Sequence, residues 1–286
     1  MKKWTAMFLL FLFVLVTGCS PASSEKPDSV LEIDSGQGNL EADLNHKNLI
    51  SAEPEVFLNE SVQKNRTLTL DGVRLDLNYQ DSLYYPVGGE TVNRYLFDGK
   101  EDQPILLDEK GNIHSILYHF AKLSILPTDS YEDVLEPLKE ELSKTFDLSY
   151  YKEQIPLGSA MGSRGFGMYD YFFCNRSNGY ITDSLRVSVS EDGSVLGLRI
   201  RNFTGTCDLS RIDKNRENER IEQKLKDIYQ TENTQLQDFS ERFHASVVLY
   251  NGETYLRYIV GGHFLRSDQS CGFLIRILIP LSDLCS

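Results

Sequence analysis

The residues able to do chemistry are few and badly spaced for it. The five histidines are His46, His114, His119, His244 and His263. His114 and His119 lie five positions apart in a segment that reads as one strand, so the odd spacing sends them to opposite faces and away from a shared metal. No His-x-x-x-His or Cys-x-x-Cys pattern occurs, and the acidic loop Asp98-Gly99-Lys100-Glu101-Asp102 sets Lys100 where a calcium loop needs an oxygen. No metal and no cofactor is expected. The one glycine-rich run, Gly158 to Gly167, lacks both the Gly-Lys-Ser/Thr of a phosphate loop and the Gly-x-Ser-x-Gly of a nucleophile elbow. It reads as a connector; were it to cover a ligand, Arg164 beside Phe166 would be the contact pair.

Four cysteines of the body, Cys174, Cys207, Cys271 and Cys285, could form disulfides in an oxidising compartment. Cys271 and Cys285 flank a strand expected over Phe273 to Ile279, whose seven residues span roughly 23 Å, whereas a bond needs Cα atoms within about 7 Å. That pairing is excluded, and with it a Cys174–Cys207 partner bond. Reduced thiols serving as small apolar residues remain the alternative. The cluster Tyr169, Tyr171, Phe172 and Phe173 is read as strand core rather than as a binding face.

The chain of 286 residues carries 29 Lys+Arg against 42 Asp+Glu, a formal charge of −13, with 41% hydrophobic residues. This is a globular composition, and its acidity argues against a nucleic-acid partner. Lys2 and Lys3 precede the uncharged apolar run Met7 to Val16, which is too short for a permanent span and reads as a signal peptide. Val16-Thr17-Gly18-Cys19 resembles the lipobox of bacterial lipoproteins. The resemblance implies removal of residues 1–18, a diacylglycerol on Cys19, and a cell-membrane anchor on the extracytoplasmic face. Loss of Lys2 and Lys3 takes the charge from −13 to −15, so acyl chains rather than surface charge would have to hold the body to lipid. Residues 19–55, poor in aromatics and rich in Ser, Asp, Glu and Gly, read as a flexible acidic tether, with a short helix conceivable around Leu40 to Leu49.

Positioning elements begin near Val56. Period-two patterns predict strands at Thr67–Leu70, Val73–Tyr79, Arg94–Phe97, Pro104–Leu107 and Ile113–His119, and the Asp71-Gly72 pair predicts a turn. A helix over Tyr131 to Leu142, with caps at Thr128 to Ser130, is expected to kink or break at Pro137. Residues 154–167 read as loop. Strands follow at Tyr169–Asn175, Leu185–Val189 and Leu196–Ile200. A second helix is expected from Ser210 to Tyr229, with its polar first half, Asp213 to Arg220, off the core. Phe243–Tyr250, Glu253–Val260 and Phe273–Ile279 complete the strands. The order predicts an α+β fold of antiparallel meanders with two main helices, in regions 56–145 and 146–286. Phe172 to Ile200, with Asn175 to Tyr180 before a strand and Asp192-Gly193-Ser194-Val195 after it, resembles PepSY-type repeats of exported bacterial proteins; Tyr95 to Leu117 is a fainter echo, and cystatin-like units share the pattern. The resemblance implies an envelope protein, with restraint of peptidases as one role. The absence of a recognisable nucleophile, base or metal constellation favours a binding module for a protein, peptide or envelope component over an envelope hydrolase.

Overall fold

The computed structural model of the chain describes residues 30–33, 49–51, 53–70, 72–97, 103–117, 119–124, 131–156, 168–230, 234–241 and 245–285. Its strands are β1 (Val30–Ile33), β2 (Leu49–Ser51), β3 (Glu55–Phe57), β4 (Asn65–Leu70), β5 (Val73–Tyr85), β6 (Glu90–Phe97), β7 (Ile105–Asp108), β8 (Ile113–Ile116) and β9 (Ala121–Lys122). Helix α1 (Tyr131–Ser143) leads to β10 (Glu153–Pro156), β11 (Met168–Ser177), β12 (Tyr180–Ser190) and β13 (Ser194–Asn202). Helix α2 (Lys214–Tyr229) leads to β14 (Thr234–Glu241), β15 (Ser246–Tyr250), β16 (Glu253–Arg266) and β17 (Gln269–Pro280). The fold is α+β, dominated by antiparallel strands. Among the described residues no helix is long and apolar enough to cross a membrane.

The strands join in one mixed sheet whose two antiparallel sections are linked by a parallel bridge between β12 and β15 at Ile181 and Ser246. In the first, β5, β6, β7, β8, β13, β12, β11 and β10 are hydrogen-bonded in that lateral order, all antiparallel. The chain boundary expected at 145/146 is therefore not a structural one. Strand β8 pairs with β13 across it, and the core under α1 combines Leu70, Tyr95, Ile105 and Ile116 with Tyr171, Phe173, Leu185, Val187 and Leu198. In the second section, the hairpin β16–β17 has β14 and β15 end to end along the free side of β16. Strand β1 joins the far side of β17, and β2 runs parallel to β1. These two short strands lie within the stretch read as a tether, so that reading does not hold for residues 30–33 and 49–51. The expected caps at 128–130 lie outside the described residues, as does most of the segment around Leu40 to Leu49.

Local chemistry explains the hairpins. Asn178-Gly179 and Asn251-Gly252 have φ of 51° and 88°, and 51° and 76°, the left-handed pair of a type I′ turn that matches strand twist. Strands β1, β2, β3, β9, β10 and β14 escape the sequence pattern, and two of them show why. Strand β10 has four residues ending in proline, tolerable because it pairs only with β11 as an edge. Strand β14 carries a bulge between Leu236 and Asp238 that breaks its alternation, and six of its eight residues are exposed.

Helix α1 runs unbroken through Pro137. The carbonyl that loses its donor belongs to Asp133, an exposed residue, so water can satisfy it and the helix continues past the proline as one piece. Val134, Leu138 and Leu142 on the other face are buried to within 1% exposure, each contributing about 1.5–3 kcal/mol. Helix α2 is shorter than expected at its start, because Asp213 caps it by accepting from the amides of Asn215 and Arg216 and a 3₁₀ turn occupies Leu209–Arg211. Ile221, Leu225 and Tyr229 pack onto the second section with Leu256, Tyr258, Val260 and Ile277.

Candidate functional site

Because each helix covers one face of its section of the sheet, strand alternation sends every second residue to a face without a helix. On β12, Leu185, Val187 and Val189 enter the core while Ser184, Arg186 and Ser188 take the other side. On β13, Arg199 and Arg201 do the same; on the second section so do Arg257 of β16 and Arg276 of β17. The two helix-free faces contribute to a single cavity of about 210 Å³, with all five arginines in its wall. Among the described residues that line it none is acidic. Thr182, Ser184 and Ser246 add hydroxyl groups, and Phe172, Ile181 and Ile259 add apolar surface.

The register sets where the guanidinium groups emerge. Arg186 lies directly opposite Arg199, and Ser184 opposite Arg201; in the second section Arg276 lies opposite Ile259, one row of same-facing residues from Arg257. The sections are pinned beside the cavity by the Ile181 amide donating to the Ala245 carbonyl at 2.9 Å and by the Gly88 amide donating to Leu249 at 2.7 Å. Arg186 donates to Asp170 at 2.6 Å, and Asp170, only 4% exposed, also accepts from Ser188 at 2.7 Å. The Arg199 guanidinium stands 5.2 Å from the centre of the Tyr85 ring. These contacts orient the forks without filling the cavity.

Two further cavities adjoin the first. One, of about 360 Å³, shares Arg186 and Arg199 and is walled by Tyr85, Ser115, Ser188 and Gly197. A smaller one, of about 40 Å³, shares Thr182, Arg201 and Val247 and reaches Glu90. Between them His114 is 5% exposed, its Nε2 3.2 Å from Glu90 Oε1 and its ring stacked on Tyr85 with centroids 6.0 Å apart. Burial raises the Glu90 carboxyl, but the hydrogen bond and charge of His114, aided by Arg201 and Arg199, bring it below its ordinary value. Burial likewise raises the Tyr85 phenol, against the opposing pull of Arg199.

A second polar cluster is enclosed beneath α2. Glu217, 5% exposed, accepts from Tyr258 at 2.7 Å and Tyr180 at 2.9 Å and pairs with Lys214 at 2.8 Å. The expectation that the first half of α2 avoids the core is thus corrected: one carboxyl there is buried because two phenols meet it. Burial, then the Glu217 charge, pushes the Tyr258 phenol far above its usual range, and burial with the Glu217 hydrogen bond lifts Tyr180 to about 12 against Lys214. The stabilisation tied to these neutral phenols is fully present below the unfolded value near 10 and is lost as pH rises toward the folded values. Urea midpoints are expected to be flat up to about pH 9 and to fall steeply above about pH 10. A midpoint that holds through pH 11 would contradict the network. Its buried hydrogen bonds make it a fastening for the helix.

The residues singled out in the sequence fare unevenly. Cys19, Arg164 and Phe166 lie outside the described residues. All four body cysteines are free thiols; Cys174 is fully buried in β11, where burial raises its thiol, and Cys271 is the third residue of the 12-residue β17 whereas Cys285 lies past its far end. Of the aromatic cluster, Tyr171 and Phe173 enter the core, whereas Phe172 turns outward and lines the arginine cavity. The arginines themselves were missed. Arg186, Arg199 and Arg201 were visible at alternate strand positions, but only sheet pairing aligns them, and only tertiary packing adds Arg257 and Arg276. No family model matches the chain, and no curated protein matches it.

Proposed function

We propose that the chain is an extracytoplasmic, lipid-anchored binding protein that takes an anionic ligand in the arginine-lined cavity where the two sections of its sheet meet. The observation that carries this reading is the gathering of Arg186, Arg199, Arg201, Arg257 and Arg276 around one cavity in a chain of net charge −13. Guanidinium forks match oxyanions in two-point geometry. The PepSY-like or cystatin-like pattern supports the same class of reading, since a helix laid on an antiparallel meander occurs in both halves. A peptidase-regulating role would require the anionic ligand to be a carboxylate-rich peptide.

Titration calorimetry of the full-length protein in detergent with tripolyphosphate tests the site. Saturable binding that weakens on Arg199→Gln is expected, and binding that ignores the substitution would place the anion elsewhere. The anchor has its own test. Cys19→Ala is expected to abolish incorporation of a fatty-acid label and to leave the precursor at its uncleaved mass; unchanged labelling would remove the lipoprotein reading.

A further inference from the structure

Building on the anion-binding reading, we infer that the ligand is a linear phosphate polymer, lying along β12 and β13, rather than a compact anion. The three cavities form a series joined by shared residues: Arg186 and Arg199 at one junction, Thr182 and Arg201 at the other. From Ser188 in the first to Thr182 in the last is six residues of one strand, about 20 Å. That length exceeds a single phosphate several times over. Arg199 and Arg201 are two residues apart on one strand face, so their rows repeat every 6.6–6.8 Å or so. Arg257 and Arg276 on β16 and β17 also occupy successive rows. Cations repeated along a groove serve an anion repeated along a chain.

The chemistry of the donors selects phosphate. The forks come from four strands, three arginines on β12 and β13 and two on β16 and β17, with the Thr182, Ser184 and Ser246 hydroxyls in the same lining. A planar carboxylate presents two oxygens to one fork, whereas a tetrahedral phosphate presents oxygens out of one plane to forks from more than one strand. Phosphoanhydride and phosphodiester linkages present the same repeating anion, so both belong to the proposal.

The test is a length series on the full-length protein at fixed ionic strength: orthophosphate, tripolyphosphate, long-chain polyphosphate and glycerol-phosphate oligomers, with polyglutamate matched for charge. Affinity per molecule is expected to rise at least about tenfold from tripolyphosphate to the long chains, with a steeper salt dependence as more phosphates engage. Arg201→Gln is expected to flatten that rise, and Arg201→Lys, which keeps the charge but not the fork, to restore it only in part. The better of the anhydride and diester arms assigns the linkage. Equal affinity for tripolyphosphate and long chains would overturn the polymer while leaving a compact-anion site standing. Polyglutamate binding as tightly as polyphosphate would overturn the phosphate assignment. Failure of every anion to bind would overturn the site as a whole.

Discussion

Replacing Glu217 by Ala is expected to destabilise the protein by about 3–5 kcal/mol, measured as a fall in the urea midpoint at unchanged slope. The substitution leaves the Tyr180 and Tyr258 phenols without the acceptor that each now reaches within 2.9 Å, and each buried donor so stranded costs about 1–3 kcal/mol. A cavity beneath α2 adds to that. Little of the loss comes from the ion pair to Lys214, whose side chain is 64% exposed and therefore screened. Glu217→Gln keeps an acceptor in place and should cost roughly half as much or less. If Ala and Gln variants were equally stable to the parent, the two phenols would have to find water, and the buried network would not be what fixes the first turns of the helix.

The second large effect concerns binding. Arg199→Gln combined with Arg276→Gln is expected to weaken tripolyphosphate binding by about a hundredfold or more, since hydrogen bonds to charged groups contribute about 1.5–3 kcal/mol each and one fork is lost from each section. Folding should respond little. Arg199 gives up its stacking on Tyr85, worth about 0.5–1 kcal/mol at a partly exposed site, and neither arginine enters a helix-covered core, so thermal midpoints should stay within a few degrees of the parent. That split is what separates a binding residue from a structural one. A variant that bound normally but melted far lower would assign these arginines to the scaffold.

Free thiols at Cys174, Cys207, Cys271 and Cys285 bear on the same question of what holds the sections together. The sections need no staple at the cavity, because backbone hydrogen bonds at Ile181–Ala245 and Gly88–Leu249 already join them, and each has its own helix-covered core.

What the sequence determined by itself were the features that depend on near neighbours. The alternation of Leu185, Val187 and Val189 marked β12, the apolar run from Phe273 to Ile279 marked the central strand β17, and the Asn251-Gly252 pair marked the turn before β16, because side-chain period and backbone sterics act over a few residues. The strand–helix–strand–helix–strand order followed from these signals. Tertiary structure alone decided three things. It paired β8 with β13 and so erased the expected boundary near residue 145. It brought Tyr180 and Tyr258 to Glu217, 37 and 41 positions distant, making a polar turn of α2 buriable. It set Arg257 and Arg276 in one lining with Arg186, Arg199 and Arg201, turning isolated arginines into one cavity wall. In each case the outcome depends on which distant segment satisfies a backbone edge or a buried polar group, and that choice is made by packing of the whole chain rather than by any local pattern.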